Sequence, residues 1–256
     1  MANIKMIVTD LDATLLRDDK SVSACTIKTL RACREKGIKV VYATARGSLP
    51  DNIPLEIFSG SARNGGAVAV ADGKKVYEKL ISTVQIRDFL IACDKAEIKT
   101  ALVKTTGNNS KHYANFKVDD LVSYVTDFEI VSFAELDTMA EKGYAAPESQ
   151  RHIDIIKNNL PDCLKLIVAR DDAALFMHPE ATKSKAIAAL AEHWGIRREE
   201  IAAFGDDIND IDMLQFCGIS VAVGNAIDEV KAVADYICDT NENDGVARWI
   251  EENALV

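Results

Sequence analysis

The chain has 256 residues, 48% of them hydrophobic and 27% charged, with only 13 glycines and 5 prolines, a composition that excludes disordered, collagen-like and fibrous classes. Its 30 basic residues against 40 acidic ones leave a net charge of −10, which argues against broad electrostatic binding to nucleic acid or to an anionic membrane face. A chain of this length buries about three quarters of its extended surface on folding, enough for an α/β core and a second, smaller domain.

Residues 4–9 (IKMIVT) form a short apolar, β-branched run closing on Asp10, the pattern of a buried strand. The helical spacing of Ile27, Leu30 and Cys33 predicts a helix from about Ser23, ended by Gly37 in a left-handed cap. Residues 38–43 (IKVVYA) read as a second buried strand that stops at Thr44, so the start of the chain is a βαβ unit with a right-handed crossover. Residues 82–179 have a different texture. Strand-like runs at 100–103, 128–131, 164–168 and 173–177 are separated by helix-like stretches at 84–96, 133–141 and 148–158, with Asp171-Asp172 as a hairpin turn. The α/β alternation then returns: helix 183–194 ended by Gly195, strand 201–204, helix 210–217, strand 219–223, helix 226–234, strand 236–238 and a last helix over 245–252. The expected fold is a Rossmann-like α/β core with a parallel sheet, built from residues 1–81 and 180–256, with an inserted α+β domain over 82–179.

No apolar run approaches the roughly 18 residues that span a bilayer. The first residues soon meet Asp10 and Asp12 rather than continuing as a signal peptide, so a cytoplasmic protein without a membrane partner is expected. Six cysteines without a Cys-x-x-Cys pair and four histidines without ligand spacing read as reduced thiols and ordinary histidines.

In open α/β sheets ligands bind beyond the carboxyl ends of the strands. Four polar clusters stand at such positions. The first is Asp10-Leu-Asp12-Ala-Thr14, whose residue types are also ordinary turn and cap formers. Thr44-Ala-Arg46 follows the second strand, and Gly205-Asp206-Asp207-Ile-Asn209-Asp210 follows strand 201–204. The last fails as a calcium loop, since Ile211 occupies the fifth position counted from Asp207 and the required glycine is missing. Lys183 and Lys185 open the helix after the insert. Combined, carboxylates from two strand ends with a hydroxyl and a lysine make a hard-oxygen site suited to Mg²⁺ and a phosphoryl group. The loops and motifs of nucleotide, dinucleotide, serine-hydrolase and zinc-protease sites do not occur.

These residues resemble the haloacid dehalogenase superfamily, and within it the Cof-type hydrolases, whose α/β cap is inserted after the early core strands. Gly205-Asp-Asp-Ile-Asn-Asp210, continued by Val221-Ala-Val-Gly-Asn-Ala226 and Asn243-Asp-Gly-Val246, carries the resemblance most specifically. It implies a phosphatase of small phosphorylated metabolites, sugar phosphates foremost. Asp10 would be the nucleophile forming an aspartyl-phosphate, and Asp12 the acid and then the base. Mg²⁺ would be held by Asp10, the Asp12 carbonyl, Asp206 and Asp210. Thr44 and the amide of Ala45 would bind the phosphoryl oxygens, with Lys183 balancing charge and Asn209 orienting the group. Ala13 and Ala45 stand where the family usually has glycine, and the surroundings of Lys183 leave Lys185 as a competitor. Asn64-Gly65-Gly66-Ala67 resembles the family's Asn-Gly-Ala segment, implying a substrate contact from Asn64, and residues 108–112 of the cap are candidates for reading the leaving group. A phosphomutase and a non-catalytic phosphate- or metal-sensing module are the alternative readings.

Overall fold

Strand β1 (Met6–Thr9) opens the computed structural model, which describes residues 3–106, 109–116, 127–168 and 174–255. In chain order there follow α1 (Ala24–Glu35), β2 (Lys39–Ala43), β3 (Gly60–Arg63), β4 (Val68–Ala71), β5 (Lys74–Glu78), β6 (Ile81–Ser82), α2 (Arg87–Lys95), β7 (Lys99–Thr106), β8 (Asn109–Ala114) and β9 (Asp127–Ile130). Then come β10 (Met139–Ala140), β11 (Lys142–Ala146), α3 (Gln150–Asn159), β12 (Lys165–Val168), β13 (Ala174–Met177), α4 (Lys183–Trp194), β14 (Ile201–Gly205), α5 (Ile211–Phe216), β15 (Ile219–Ala222), α6 (Asp228–Lys231), β16 (Tyr236–Ile237) and α7 (Gly245–Asn253). The chain divides into two compact units. One joins the residues up to Glu78 with those from Thr182 onward, and the other is Lys79–Ala181.

The first unit is built on an eight-stranded sheet in the order β16-β15-β14-β1-β2-β3-β4-β5, parallel from β16 through β3 and antiparallel across β3, β4 and β5. This is the α/β class with a parallel sheet that the sequence predicts. The central strands are apolar on both faces because helices cover both: Met6, Ile7, Val8, Val40, Val41, Ala202, Ala203 and Phe204 are fully buried. Each large aliphatic side chain so buried contributes about 1.5–3 kcal/mol. Helix α1 starts where the Ser23 hydroxyl accepts the Thr26 N–H, and α4 runs from a Thr182 cap to Gly195 at φ +64. The β4–β5 hairpin closes through Asp72 and Gly73, both at positive φ (+46° and +78°), as a two-residue turn that matches the twist of the strands.

The second unit carries a six-stranded sheet in the order β12-β13-β11-β7-β8-β9, antiparallel except where β8 meets β9. Phe89, Leu90 and Cys93 of α2 and Ile156 of α3 bury one face of it against Leu102 and Phe176. At Gly143 the ring of Phe176 occupies the space a Cβ would take, within 2.1 Å, so β11 and β13 close only over glycine.

Two expected helices are corrected. Residues 133–141 form turns and the short strand β10 instead of a helix, although Phe133, Leu136 and Ala140 have helical spacing. Thr83 decides it: its hydroxyl donates to the carbonyls of Leu136 and Thr138 and accepts the Thr138 N–H, and its own N–H reaches the Thr138 carbonyl. Those distant partners hold the segment extended against β6. The expected helix over 226–234 shrinks to the single turn α6, because Asp235 turns the chain back to the sheet by accepting both the N–H and the hydroxyl of Ser220. The Asp171-Asp172 turn and Asn108 lie outside the described residues.

Candidate active site

The register of the parallel strands assembles the site. Thr9 lies level with Phe204 on β14 and with Tyr42 on β2, so Asp10, Asp206 and Thr44 leave adjacent strands at the same edge of the sheet. The chain proceeds from β1 outward through β2 and β3 and later returns to the other side of β1 as β14, so this edge is a topological switch point. The Asp10 N–H donates to the Phe204 carbonyl at 3.0 Å, continuing the ladder one residue past the strand and fixing the direction of the Asp10 side chain.

Asp10, Asp206 and Asp210 each bring a carboxylate oxygen within 4.8 Å of the others. Lys183, 2% exposed, places its Nζ 2.6 Å from Asp10 Oδ1 and 2.5 Å from Asp210 Oδ1, and its contact with Asn209 Oδ1 is 3.5 Å. Lys185 is exposed, so the lysine that reaches Asp10 is Lys183. Asp210 folds beneath β14 because Gly205 has no side chain: a Cβ there would stand 2.5 Å from Asp210 Cβ. Its Oδ2 accepts the amides of Asp206 and Asp207 and so shapes the loop that carries Asp206.

Burial drives the Asp10 carboxyl well above the ordinary range; Lys183 opposes that, and the charges of Asp210 and Asp206 add to it. Burial pushes Asp206 up to about 6, against the hydroxyl of Thr14 that donates to its Oδ1 at 2.8 Å. For Lys183 burial acts downward, but Asp10 and Asp210 outweigh it and hold the ammonium protonated. Three carboxyl groups share one ammonium, which leaves their hard oxygen donors short of positive charge, a set that fits a small divalent cation.

Asp12 points into a separate ion cluster. Arg46 grips it with two bonds, Nε to Oδ2 at 2.6 Å and an Nη to Oδ1 at 2.7 Å, and Lys20 Nζ adds a contact of 2.9 Å. Burial raises this carboxyl, but the hydrogen bonds of Arg46 and Lys20 prevail and hold it below the usual range. Directly after Asp12, Ala13 sits at φ +57, the left-handed backbone that glycine adopts without strain, and Asn225 Nδ2 fastens its carbonyl at 2.7 Å. Ala45 is exposed and its φ is not positive, so the second departure from the family pattern carries no such strain.

Thr44 is buried, and its Oγ1 accepts the Arg46 N–H at 3.1 Å, which leaves the hydroxyl proton as the part it can give. Asn209 is exposed at the rim, and Asn64 is wholly buried in a turn beside Thr44. Residue chemistry in sequence assigned no role to Thr14, Lys20 or Arg46. Thr14 and Arg46 stand inside the quoted motifs, but their partners lie 192 and 34 residues away, and only the sheet register brings them together.

The profile of the haloacid dehalogenase-like hydrolases matches residues 7–250. The chain belongs to that family. Within the family it is 28% identical, over 99% of its own length and 97% of the relative's, to a 5-amino-6-(5-phospho-D-ribitylamino)uracil phosphatase of Bacillus subtilis. A protein of Haemophilus influenzae provisionally named a phosphatase is 32% identical over 97% of both chains. Among solved structures, a subclass IIB sugar phosphatase of the haloacid dehalogenase superfamily superposes with a TM-score of 0.81 at 23% identity, covering 98% of this chain and all of that one, which shows a shared fold. The chain is thus a phosphatase-type hydrolase of the haloacid dehalogenase family. Among the described residues no helix is long and apolar enough to cross a membrane.

Proposed function

We propose that this hydrolase removes phosphate from small phosphorylated metabolites, with Mg²⁺ as cofactor and an aspartyl-phosphate on Asp10 as intermediate. The observation that carries the reading is the buried cluster in which Lys183 bridges Asp10 and Asp210 beside Asp206, at the switch point of the sheet. The name of the Bacillus subtilis relative supports a phosphate ester on a polyhydroxylated carbon chain, hence sugar or sugar-alcohol phosphates as the substrate class.

In this mechanism the Asp10 carboxylate, fixed by its ladder bond to β14, attacks phosphorus opposite the leaving oxygen. Asp12 protonates that oxygen and later takes the proton of the water that hydrolyses the intermediate, which requires its carboxyl to leave the Arg46 and Lys20 pairing and take up a proton before the first step, and to stay at the reacting group as a carboxylate for the second. The Thr44 hydroxyl and the Ala45 amide donate to phosphoryl oxygens, Lys183 offsets their charge and Asn209 orients the group. Asp10, Asp206 and the Asp12 carbonyl would hold the cation, backed by Asp210, whose oxygens already engage Lys183 and the loop amides. When bound, Mg²⁺ supplies charge neutralisation for the phosphoryl oxygens. The inserted unit, Lys79–Ala181, is on this reading the cap that selects the leaving group.

Asp10→Asn is expected to abolish hydrolysis of p-nitrophenyl phosphate with an unchanged circular dichroism spectrum, and chelation of Mg²⁺ to stop turnover until the ion is restored. Wild-type turnover by Asp10→Asn would overturn the assignment. Recovery of an isomeric sugar phosphate in place of free phosphate would make the enzyme a mutase.

A further inference from the structure

One turn of the first unit holds two parts of the site in register. Asn64, Gly65 and Gly66 follow one another at φ +49, +65 and +89, three left-handed residues in succession. An alanine is strained at each such position, whereas glycine adopts it freely and asparagine tolerates it better than most side chains. The reward for this backbone lies in what it touches. The Asn64 N–H donates to the Arg46 carbonyl at 2.9 Å and the Gly65 N–H to the Thr44 carbonyl at 3.0 Å, so the turn grips both ends of the Thr44-Ala45-Arg46 segment. Its other side presses on the start of α4: a Cβ on Gly66 would stand 2.0 Å from the Thr182 carbonyl oxygen and 2.6 Å from the Lys183 nitrogen.

We infer that the 64–66 turn is a positioning element that sets the spacing between the phosphate-donor segment 44–46 and the ammonium of Lys183, with Gly66 as its positioning residue. The inference rests on the phosphatase reading for the roles of Thr44 and Lys183. The turn acts through backbone contact: the peptide joining Thr182 to Lys183 rests against Gly66, and moving that peptide carries the lysine away from Asp10 and Asp210. The burial of Asn64 agrees with a frame residue, where the family resemblance implied a substrate contact.

Gly66→Ala tests this against Gly73→Ala, a glycine at φ +78 whose Cβ would meet nothing within 4 Å and which lies in the β4–β5 turn. Both variants carry the left-handed strain, but only the first displaces Lys183. Gly66→Ala is expected to lower kcat on p-nitrophenyl phosphate by tenfold or more with KM within about twofold, in protein shown folded by circular dichroism, while Gly73→Ala keeps wild-type kcat. A folded Gly66→Ala with wild-type kcat would overturn the inference. If Gly66→Ala does not fold, Gly65→Ala strains the same turn beside Thr44; a kcat loss of severalfold supports the proposal and an unchanged kcat refutes it. The crystal structure of the Gly66→Ala or Gly65→Ala protein supplies a readout independent of turnover. Lys183 Nζ or the 44–46 backbone shifted from its place beside Asp10 supports the inference, and an unmoved site overturns it. Wild-type protein inert to every phosphomonoester would instead sink the phosphatase reading and leave the structural comparison decisive for this one.

Discussion

Ala13 follows the second acid of the first motif at φ +57, where an alanine is about 1–2 kcal/mol worse than a residue in an ordinary region. Glycine removes that strain at the expense of a looser unfolded chain, about 0.4–1 kcal/mol. Ala13→Gly is therefore expected to stabilise the protein by up to about 1 kcal/mol, a rise in Tm of about 2–4 °C by calorimetry; a lower Tm would show that Asn225 and its neighbours have absorbed the strain. Lys183 presents the opposite case. Its ammonium bridges two buried carboxylates, and Lys183→Met leaves Asp10 and Asp210 facing each other without it. Removing one member of a buried ion cluster costs about 3–5 kcal/mol, to be seen in urea denaturation at neutral pH with chelator present. Added Mg²⁺ should restore part of this loss, since a dication would supply the missing positive charge. Equal stability of the variant with and without Mg²⁺ would count against a cation at the three carboxylates.

At the scale of elements, the turn leading into β14 supplies a pH-dependent fastening. Glu200 is nearly buried, and its carboxylate takes hydrogen bonds from Lys5 and from the backbone and side chain of Arg197, which hold it at about 2 against an ordinary 4.5. A carboxyl depressed on folding stabilises the native state above the unfolded value and loses that contribution as pH falls toward the folded one. The stability gap between wild type and Glu200→Gln should therefore be full above about pH 5 and close between about pH 4.5 and 2 in denaturation midpoints measured across that range. A gap independent of pH would show that the shift does not operate.

The elements also show what a sequence can disclose. β1, α1, β2 and α4 were legible because local pattern and caps agree with the final packing: Ser23 and Thr182 open their helices, and Gly195 closes one. Strand-end placement of Asp10 and Asp206 followed from the same local reading. The strands β3 and β4 escaped it because Gly60-Ser-Ala-Arg63 has no β-branched residue and Val68-Ala-Val-Ala71 sets its two valines only against alanines, although Asp72-Gly73 was a hairpin signal present in the sequence. The stretch 133–141 failed for another reason: Thr83, about fifty residues earlier, provides the partners for its backbone. In the site, the Arg46 clamp on Asp12 and the wedge of Gly66 against Thr182 depend on contacts between distant segments, and no spacing rule announces them.

For the molecule as a whole, the thiols distinguish surface from core in both units. Cys25 of the first unit and Cys163 of the second are exposed, whereas Cys33 and Cys93 are buried and pushed up to about 11, and Cys217 is raised further by burial. A disulfide reagent at pH 8 is expected to modify Cys25 and Cys163 fast and the buried three only after denaturant is added; fast labelling of Cys93 would show that the core of the inserted unit opens readily. The charge balance of −10 also resolves into local arrangements: most acidic side chains face solvent, but Asp10, Asp206 and Asp210 converge, and a dication with Lys183 would turn one small part of an acidic surface attractive to phosphate.

The position of β1 carries one more consequence. It is flanked on both sides by paired strands and buried on both faces, and Asp10 is the first residue beyond it. Strands so enclosed are the last to open in native-state fluctuations, needing nearly the full unfolding free energy, while loop ends breathe cheaply. On the proposed mechanism the reacting carboxylate is thus moored to the slowest-opening part of the protein, and the acid two residues on borders the strained Ala13 and is tied down by ions. Fluctuation can redirect Asp12 without disturbing Asp10, which would separate the atom that the proposed mechanism holds still from the one it requires to travel.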